Sequence, residues 1–175
     1  SIVNVALPVI RASTQASVAT VEWVLLAYLV TVSSALLLFG RLADLYGRRR
    51  IYLAGLLVFV SGSLACGLSG HIGGLIAARV AQGVGAAMIF ALGPGILIAA
   101  FPSGERGRAL GMQATLTYLG LTLGPGLGGL LLARWNWPAI FLVNVPIGLA
   151  MSAVAAKTLR DERHEGGAQT FDPAG

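Results

Sequence analysis

Arg79 is the one full charge within residues 74–100, a stretch otherwise made of apolar and small residues. If that stretch lies in lipid, a central arginine costs about 2.5–3.5 kcal/mol even on the most lenient insertion scale. Something must offset the cost. Gln82 and Gly83 follow at i+3 and i+4, so on a helix they share a face with Arg79 and let it present a fixed cation to a polar cleft between helices. The alternative is that the guanidinium snorkels toward the nearby Gly73-Gly74 end.

A second cluster lies at residues 40–50, Gly-Arg-Leu-Ala-Asp-Leu-Tyr-Gly-Arg-Arg-Arg. Asp44 stands four residues before Arg48, a spacing at which the two can pair with each other and with the end of a helix from a neighbouring domain. Arg49 and Arg50 extend the charge, and Gly40 and Gly47 permit the close turn and close approach that a sliding contact needs. The same residues also read as a plain basic anchor at a membrane surface.

The third constellation is conformational. Gly120, Gly124 and Gly128 recur every four residues, with Pro125 and Gly129 beside them. On a helix this is a groove of bare backbone: small residues allow a neighbour to pack at close range, and the proline frees a carbonyl and allows a kink. Ordinary helix packing would use the same glycines. Asn4 and Asn144 precede helical prolines and either supply a cavity hydrogen bond or satisfy freed backbone groups. With Asn4, the residues Gln82, Met88, Gln113 and Tyr118 are the candidate lining of a substrate cavity.

Other chemistries find no support. No Cys, His or carboxylate cluster has metal-ligand spacing, Ser, His and Asp sit in unrelated segments, and nothing resembles a phosphate-binding loop. The expectation is therefore no enzyme, no metal and no cofactor. Cys66, the single cysteine, reads as a small packing residue within an apolar run. The chain carries a net charge of +5, but its basic residues lack interleaved aromatics and cluster in short breaks between apolar runs, which argues for membrane topology and against a nucleic-acid partner.

These residues need a lipid-embedded scaffold to position them. With 56% hydrophobic and 11% charged residues and a mean hydropathy of +0.80, the chain departs from soluble domains, in which about 25% of residues are charged. Transmembrane β-strands would appear as alternating segments of about ten residues, and none is visible. A hydrocarbon core needs about twenty apolar residues per helix. The predicted spans are residues 1–11, 23–40, 51–69, 74–100, 109–133 and 139–156, an all-α six-helix bundle over residues 1–157. Residues 13–20 read as a loop, Trp23 and Tyr28 as interfacial aromatics, and residues 158–175 as a polar cytoplasmic tail or linker. The chain opens at Ser1 on an apolar stretch, which predicts a truncated first helix.

Counting basic residues in alternate connections gives the orientation. Arg41, Arg48, Arg49, Arg50, Arg106, Arg108, Lys157, Arg160 and Arg163 fall on one side, against Arg11 and Arg134 on the other. The richer side is expected to be cytoplasmic.

Residues 40–50 resemble the signature loop between the second and third helices of the major facilitator superfamily, with Leu45 where a basic residue is common. Arg79-Val-Ala-Gln82-Gly83-Val-Gly85 is similar to the superfamily's fourth-helix motif, and the resemblance implies a role for Arg79 in proton coupling. Gly120-Leu-Thr-Leu-Gly124-Pro125-Gly-Leu-Gly128-Gly129 resembles the fifth-helix antiporter motif of proton-driven exporters. Ser1-Ile-Val-Asn4-Val-Ala-Leu-Pro8 and Trp135-Asn-Trp137-Pro-Ala-Ile-Phe141 resemble segments of the fourteen-helix drug:proton antiporters, which commonly carry an acid two positions before the residue aligned with Ser1.

The resemblance implies the N-terminal six-helix part of a secondary active transporter in the cell membrane. It would export a small molecule such as a lipophilic drug against protons, by alternating access with a C-terminal half. Asp44, Arg48 and Arg49 would form its cytoplasmic gate. A nutrient uniporter or symporter, or a non-transporting sensor or scaffold, are the competing expectations.

Overall fold

The computed structural model describes residues 2–159, which fold into helices α1 Ile2–Thr14, α2 Val18–Tyr46, α3 Arg48–Leu68, α4 Ile72–Ala100, α5 Arg106–Arg134, α6 Ala139–Leu142 and α7 Asn144–Thr158. No strand occurs among the described residues. Four helices are long and apolar enough to cross a membrane alone, and α6 with α7 forms a fifth such segment over Ala139–Thr158. The proposed tail lies outside the described residues apart from Thr158 and Leu159, as do Arg160 and Arg163.

The helices end where local chemistry ends them, which differs from where hydropathy falls. Residues 13–20 are not one loop. Ser13 Oγ and Thr14 Oγ1 donate back to the Ile10 carbonyl, so they complete the last turn of α1. Gln15 then turns the chain at φ 50°, and Ser17 caps α2 by accepting from the Thr20 amide at 3.2 Å. At 29 residues, α2 is about 43 Å long, the full depth of a bilayer with its headgroups.

That length places residues 40–46 on the helix rather than in a loop, and corrects the reading of Gly40 as a turn residue. The turn is Gly47 alone. Its φ of 92° and ψ of 132° suit glycine and disfavour any residue with a Cβ, and α3 begins at the next residue. The sixth apolar run is divided at Val143: Pro146 has no amide to donate to the carbonyl four residues back, and the helix is interrupted there although Val143 keeps helical dihedrals.

Glycines set the inter-helix distances at the centre of the bundle. A Cβ on Gly62 of α3 would lie 2.6 Å from the Gln82 amide of α4. One on Gly85 of α4 would overlap the Phe59 amide and the Gly55 carbonyl of α3, and one on Gly83 would meet Thr31 and the Tyr28 carbonyl of α2. In lipid no hydrophobic force drives helices together, so close van der Waals packing of this kind carries association. The α3/α4 and α2/α4 pairs form the most extensive contacts, with α7 on α3 and α1 on α5. A buried cluster joins Val3, Ala6 and Ile10 to Val24, Cys66, Leu75 and Phe141, and Trp137 meets Phe141 edge to face at 6.3 Å. Large apolar side chains such as Leu37, Leu116 and Leu130 point outward, as a protein solvated by lipid requires.

Candidate functional site

Arg79 sits in the eighth position of α4, about 10 Å along its axis, and is only 4% exposed. It does not snorkel. Its Nε donates to the Val24 carbonyl of α2 at 2.9 Å, and its Nη1 donates to Gln82 Oε1 at 2.5 Å. The guanidinium carbon lies 4.0 Å from the centre of the Tyr28 ring and 5.8 Å from that of Phe141. Tyr28 therefore packs against the cation, which corrects its reading as an interfacial aromatic.

Gln82 is itself 1% exposed and oriented from its other end: its Nε2 donates to Ser63 Oγ at 2.6 Å, and Ser63 Oγ donates to the Phe59 carbonyl at 2.7 Å. The Cys66 thiol lies 3.8 Å from Gln82 Oε1. A chain of polar contacts thus runs from α2 through α4 to α3, and Gly62 and Gly83 let those helices come close enough to form it. Hydrogen bonds to a charged group contribute about 1.5–3 kcal/mol each, and a desolvated cation over an aromatic face about 2 kcal/mol. Together they offset the insertion cost.

Every acceptor on Arg79 is neutral, so its charge is held without a countercharge in these contacts. A guanidinium does not deprotonate in proteins. What it can do is stabilise an anion, whether substrate or carboxylate, that enters its field, an effect strengthened by the low local dielectric.

The second constellation lies at the opposite end of α2. Asp44 Oδ1 and Arg48 Nη2 are 3.8 Å apart with both side chains well exposed, at 68% and 43%. Arg49 Nη2 crosses to the Ala156 carbonyl of α7 at 3.0 Å. A shallow groove of about 650 Å³ between α2 and α4 is lined by Leu37, Gly40, Arg41, Asp44 and Ala91.

On α5, Gly128 is buried against Ile2 of α1, and Gly124 lies near the Ile2 amide. Gly120 and Gly129 have open space where a Cβ would stand. The groove is therefore half used within the described residues. The five cavity candidates fall into different surroundings. Gln82 belongs to the Arg79 network and Gln113 lines an apolar cleft. Met88 packs over Gly55, while Asn4 faces outward and Tyr118 is 70% exposed. Sequence reasoning missed Ser63 and the Val24 carbonyl, because neither lies on Arg79's helix.

The family model described as Major Facilitator Superfamily matches residues 1–174. The chain belongs to the major facilitator superfamily. Among relatives, it is 38% identical over 159 residues to the riboflavin transporter RibZ of Clostridioides difficile, covering 91% of this chain and 35% of that protein. It is 45% identical over 148 residues to the multidrug resistance protein Stp of Mycobacterium tuberculosis, covering 84% and 28%. To the tetracenomycin C resistance and export protein of Streptomyces glaucescens it is 35% identical over 175 residues, covering 100% and 32%. The chain spans about a third of the length of these relatives. This major facilitator chain is a multi-pass integral membrane protein of a transporter family, and not an enzyme.

Proposed function

We propose that this chain is the N-terminal bundle of a proton-driven exporter of small, drug-like molecules that works by alternating access, one bundle rocking against the other around a midplane site. The observation that carries the proposal is Arg79, a buried cation held by neutral groups from α2 and α4. Because arginine keeps its proton, its part in coupling is to bias a carboxylate or an anionic substrate group elsewhere in the whole transporter. One inward proton supplies about 2.3 kcal/mol per 100 mV, enough to sustain roughly a 50-fold gradient.

Asp44, Arg48 and Arg49 would form the cytoplasmic gate, and the open part of the α5 groove would face a moving helix of the C-terminal half. The multidrug and tetracenomycin relatives support export. The riboflavin relative supports a second reading, transport of a nutrient on the same fold.

The test is substrate-driven proton movement by the full-length protein in inverted vesicles. Arg79→Ala is expected to abolish it, and Arg79→Lys to recover only part, since an ammonium cannot reproduce the planar contacts to Val24, Gln82 and Tyr28. Unchanged proton-coupled efflux in Arg79→Ala would overturn the assignment. Gly124→Leu or Pro125→Leu should abolish export; loss of uptake alone would favour the nutrient reading. Orientation is read by thiol labelling of cysteines introduced at positions 41–46, against a low background from the buried Cys66.

A further inference from the structure

Two cavities at the end of the bundle that carries residues 40–50 share a wall. The first, of about 650 Å³, is an apolar cleft between α3, α4, α5 and α7, with Met112, Leu116, Met151, Val154 and Phe101 among its lining. The second, of about 440 Å³, is lined by Arg48 and Arg49 from the first turn of α3. Ile96, Ala100, Thr158 and Leu159 line both, so the basic pocket continues into the apolar cleft.

Arg49 is anchored on the Ala156 carbonyl of α7, and Arg48 makes its 3.8 Å contact with Asp44 at the surface. A third arginine stands at the edge: Arg106 Nε donates to the carbonyl of Phe101, which lines the cleft. Among the described residues, the nearby acids are Asp44, turned largely to solvent, and the exposed Glu105 that precedes α5.

The geometry points to a ligand with an anionic head and an apolar tail. A free anion has no use for the cleft, and a neutral amphiphile has none for the arginines. We propose that this composite cavity binds an anionic glycerophospholipid, with its phosphate at Arg48 and Arg49 and an acyl chain in the cleft. Basic pockets between transmembrane helices recognise lipid headgroups in this way, and the cleft volume lies within the range of about 300–1,000 Å³ typical of ligand pockets. Assigning the lipid to the cytoplasmic leaflet rests on the orientation proposed above; the binding itself does not.

The test is native mass spectrometry of the full-length transporter in neutral detergent, titrated with phosphatidylglycerol and phosphatidylcholine of identical chains. Phosphatidylglycerol is expected to bind about tenfold more tightly, at about fivefold per arginine for a partly shared contact. Arg48→Gln with Arg49→Gln should bring that preference close to one. If the double variant fails to fold, Arg48→Gln alone should lower the preference from about tenfold to about fivefold, the share of the one arginine left in the pocket. Val154→Trp, at a position already 60% exposed, fills the cleft and should weaken both lipids without changing the melting temperature. Millimolar inorganic phosphate should leave phosphatidylglycerol bound. Equal binding of the two lipids, a preference that survives the arginine variants, or displacement by phosphate would each overturn the proposal. Binding in detergent needs neither export nor a given orientation, so its failure would leave the proposed function standing, and the reverse.

Discussion

The guanidinium carbon of Arg79, the one charged residue of α4, lies 4.0 Å from the centre of the Tyr28 ring, and this contact joins α4 to α2. A buried cation on an aromatic face is stabilised by about 2 kcal/mol. Tyr28→Leu is therefore expected to lower stability by about 1–2 kcal/mol, while Tyr28→Phe, which keeps the face, stays close to the parent. Thermal melts of the full-length protein in one detergent would resolve the two; equal losses would mean that the ring serves only as packing.

Ser63 contributes through Gln82. Ser63→Ala leaves Gln82 Nε2 without its 2.6 Å partner in a site with no access to water, and an unmet buried donor costs about 1–3 kcal/mol. Gln82→Leu is more damaging, because it removes the acceptor of Arg79 Nη1. The expected order of melting temperatures is parent, then Ser63→Ala, then Gln82→Leu. A coupling near zero in the double variant would show that the two act independently.

Glycines that look alike in the sequence should answer differently to alanine. At Gly62 and Gly85 the new methyl group meets backbone of the facing helix, which moves only at a cost of about 1–3 kcal/mol. At Gly120 it meets nothing, and stability should change by less than about 0.5 kcal/mol. Transport by Gly120→Leu is the informative measurement: lost transport with an unchanged melt supports a moving partner on the open part of α5.

Gly47 and Gly40 divide in the same manner. Gly47→Ala forces a Cβ into φ 92° and should cost about 1–3 kcal/mol. Gly40→Ala adds a methyl group to a helical position with open space and should leave the melt unchanged or slightly raised.

Asp44→Asn removes an exposed ion pair stretched to 3.8 Å, of a kind that contributes about 0–1 kcal/mol. Stability is expected to hold, at low and high salt alike. A fall in transport rate without a fall in stability would support the gate; unchanged transport would leave the pair as a surface contact.

Much of the site was legible along the chain, and the limits were physical. Arg79 announced itself as a charge among apolar residues, and Gln82 followed from the i+3 spacing of a single helix. Ser63, Tyr28 and the Val24 carbonyl did not, because they arrive from α3 and α2, and no local spacing encodes which face a neighbouring helix presents. The helix ends were misjudged where hydropathy stood in for hydrogen bonding. Residues 40–46 are polar enough to suggest a loop, yet nothing in them breaks a helix until Gly47. Pro146 interrupts the last span by lacking an amide, a cost that hydropathy does not register.

By itself the sequence determined the solvent, the fold class and the superfamily. Burying twenty apolar residues at a time admits few structures in lipid, and the motifs at residues 40–50, 79–85 and 120–129 are contiguous strings. Only the tertiary structure decided that Arg79 is sealed from the surface on neutral partners, that Gly128 packs while Gly120 stays open, and that Arg48 and Arg49 border an apolar cleft. Those outcomes depend on the rotation and distance of one helix against another. Many small contacts spread over the whole bundle set them, and no single segment of the chain contains them.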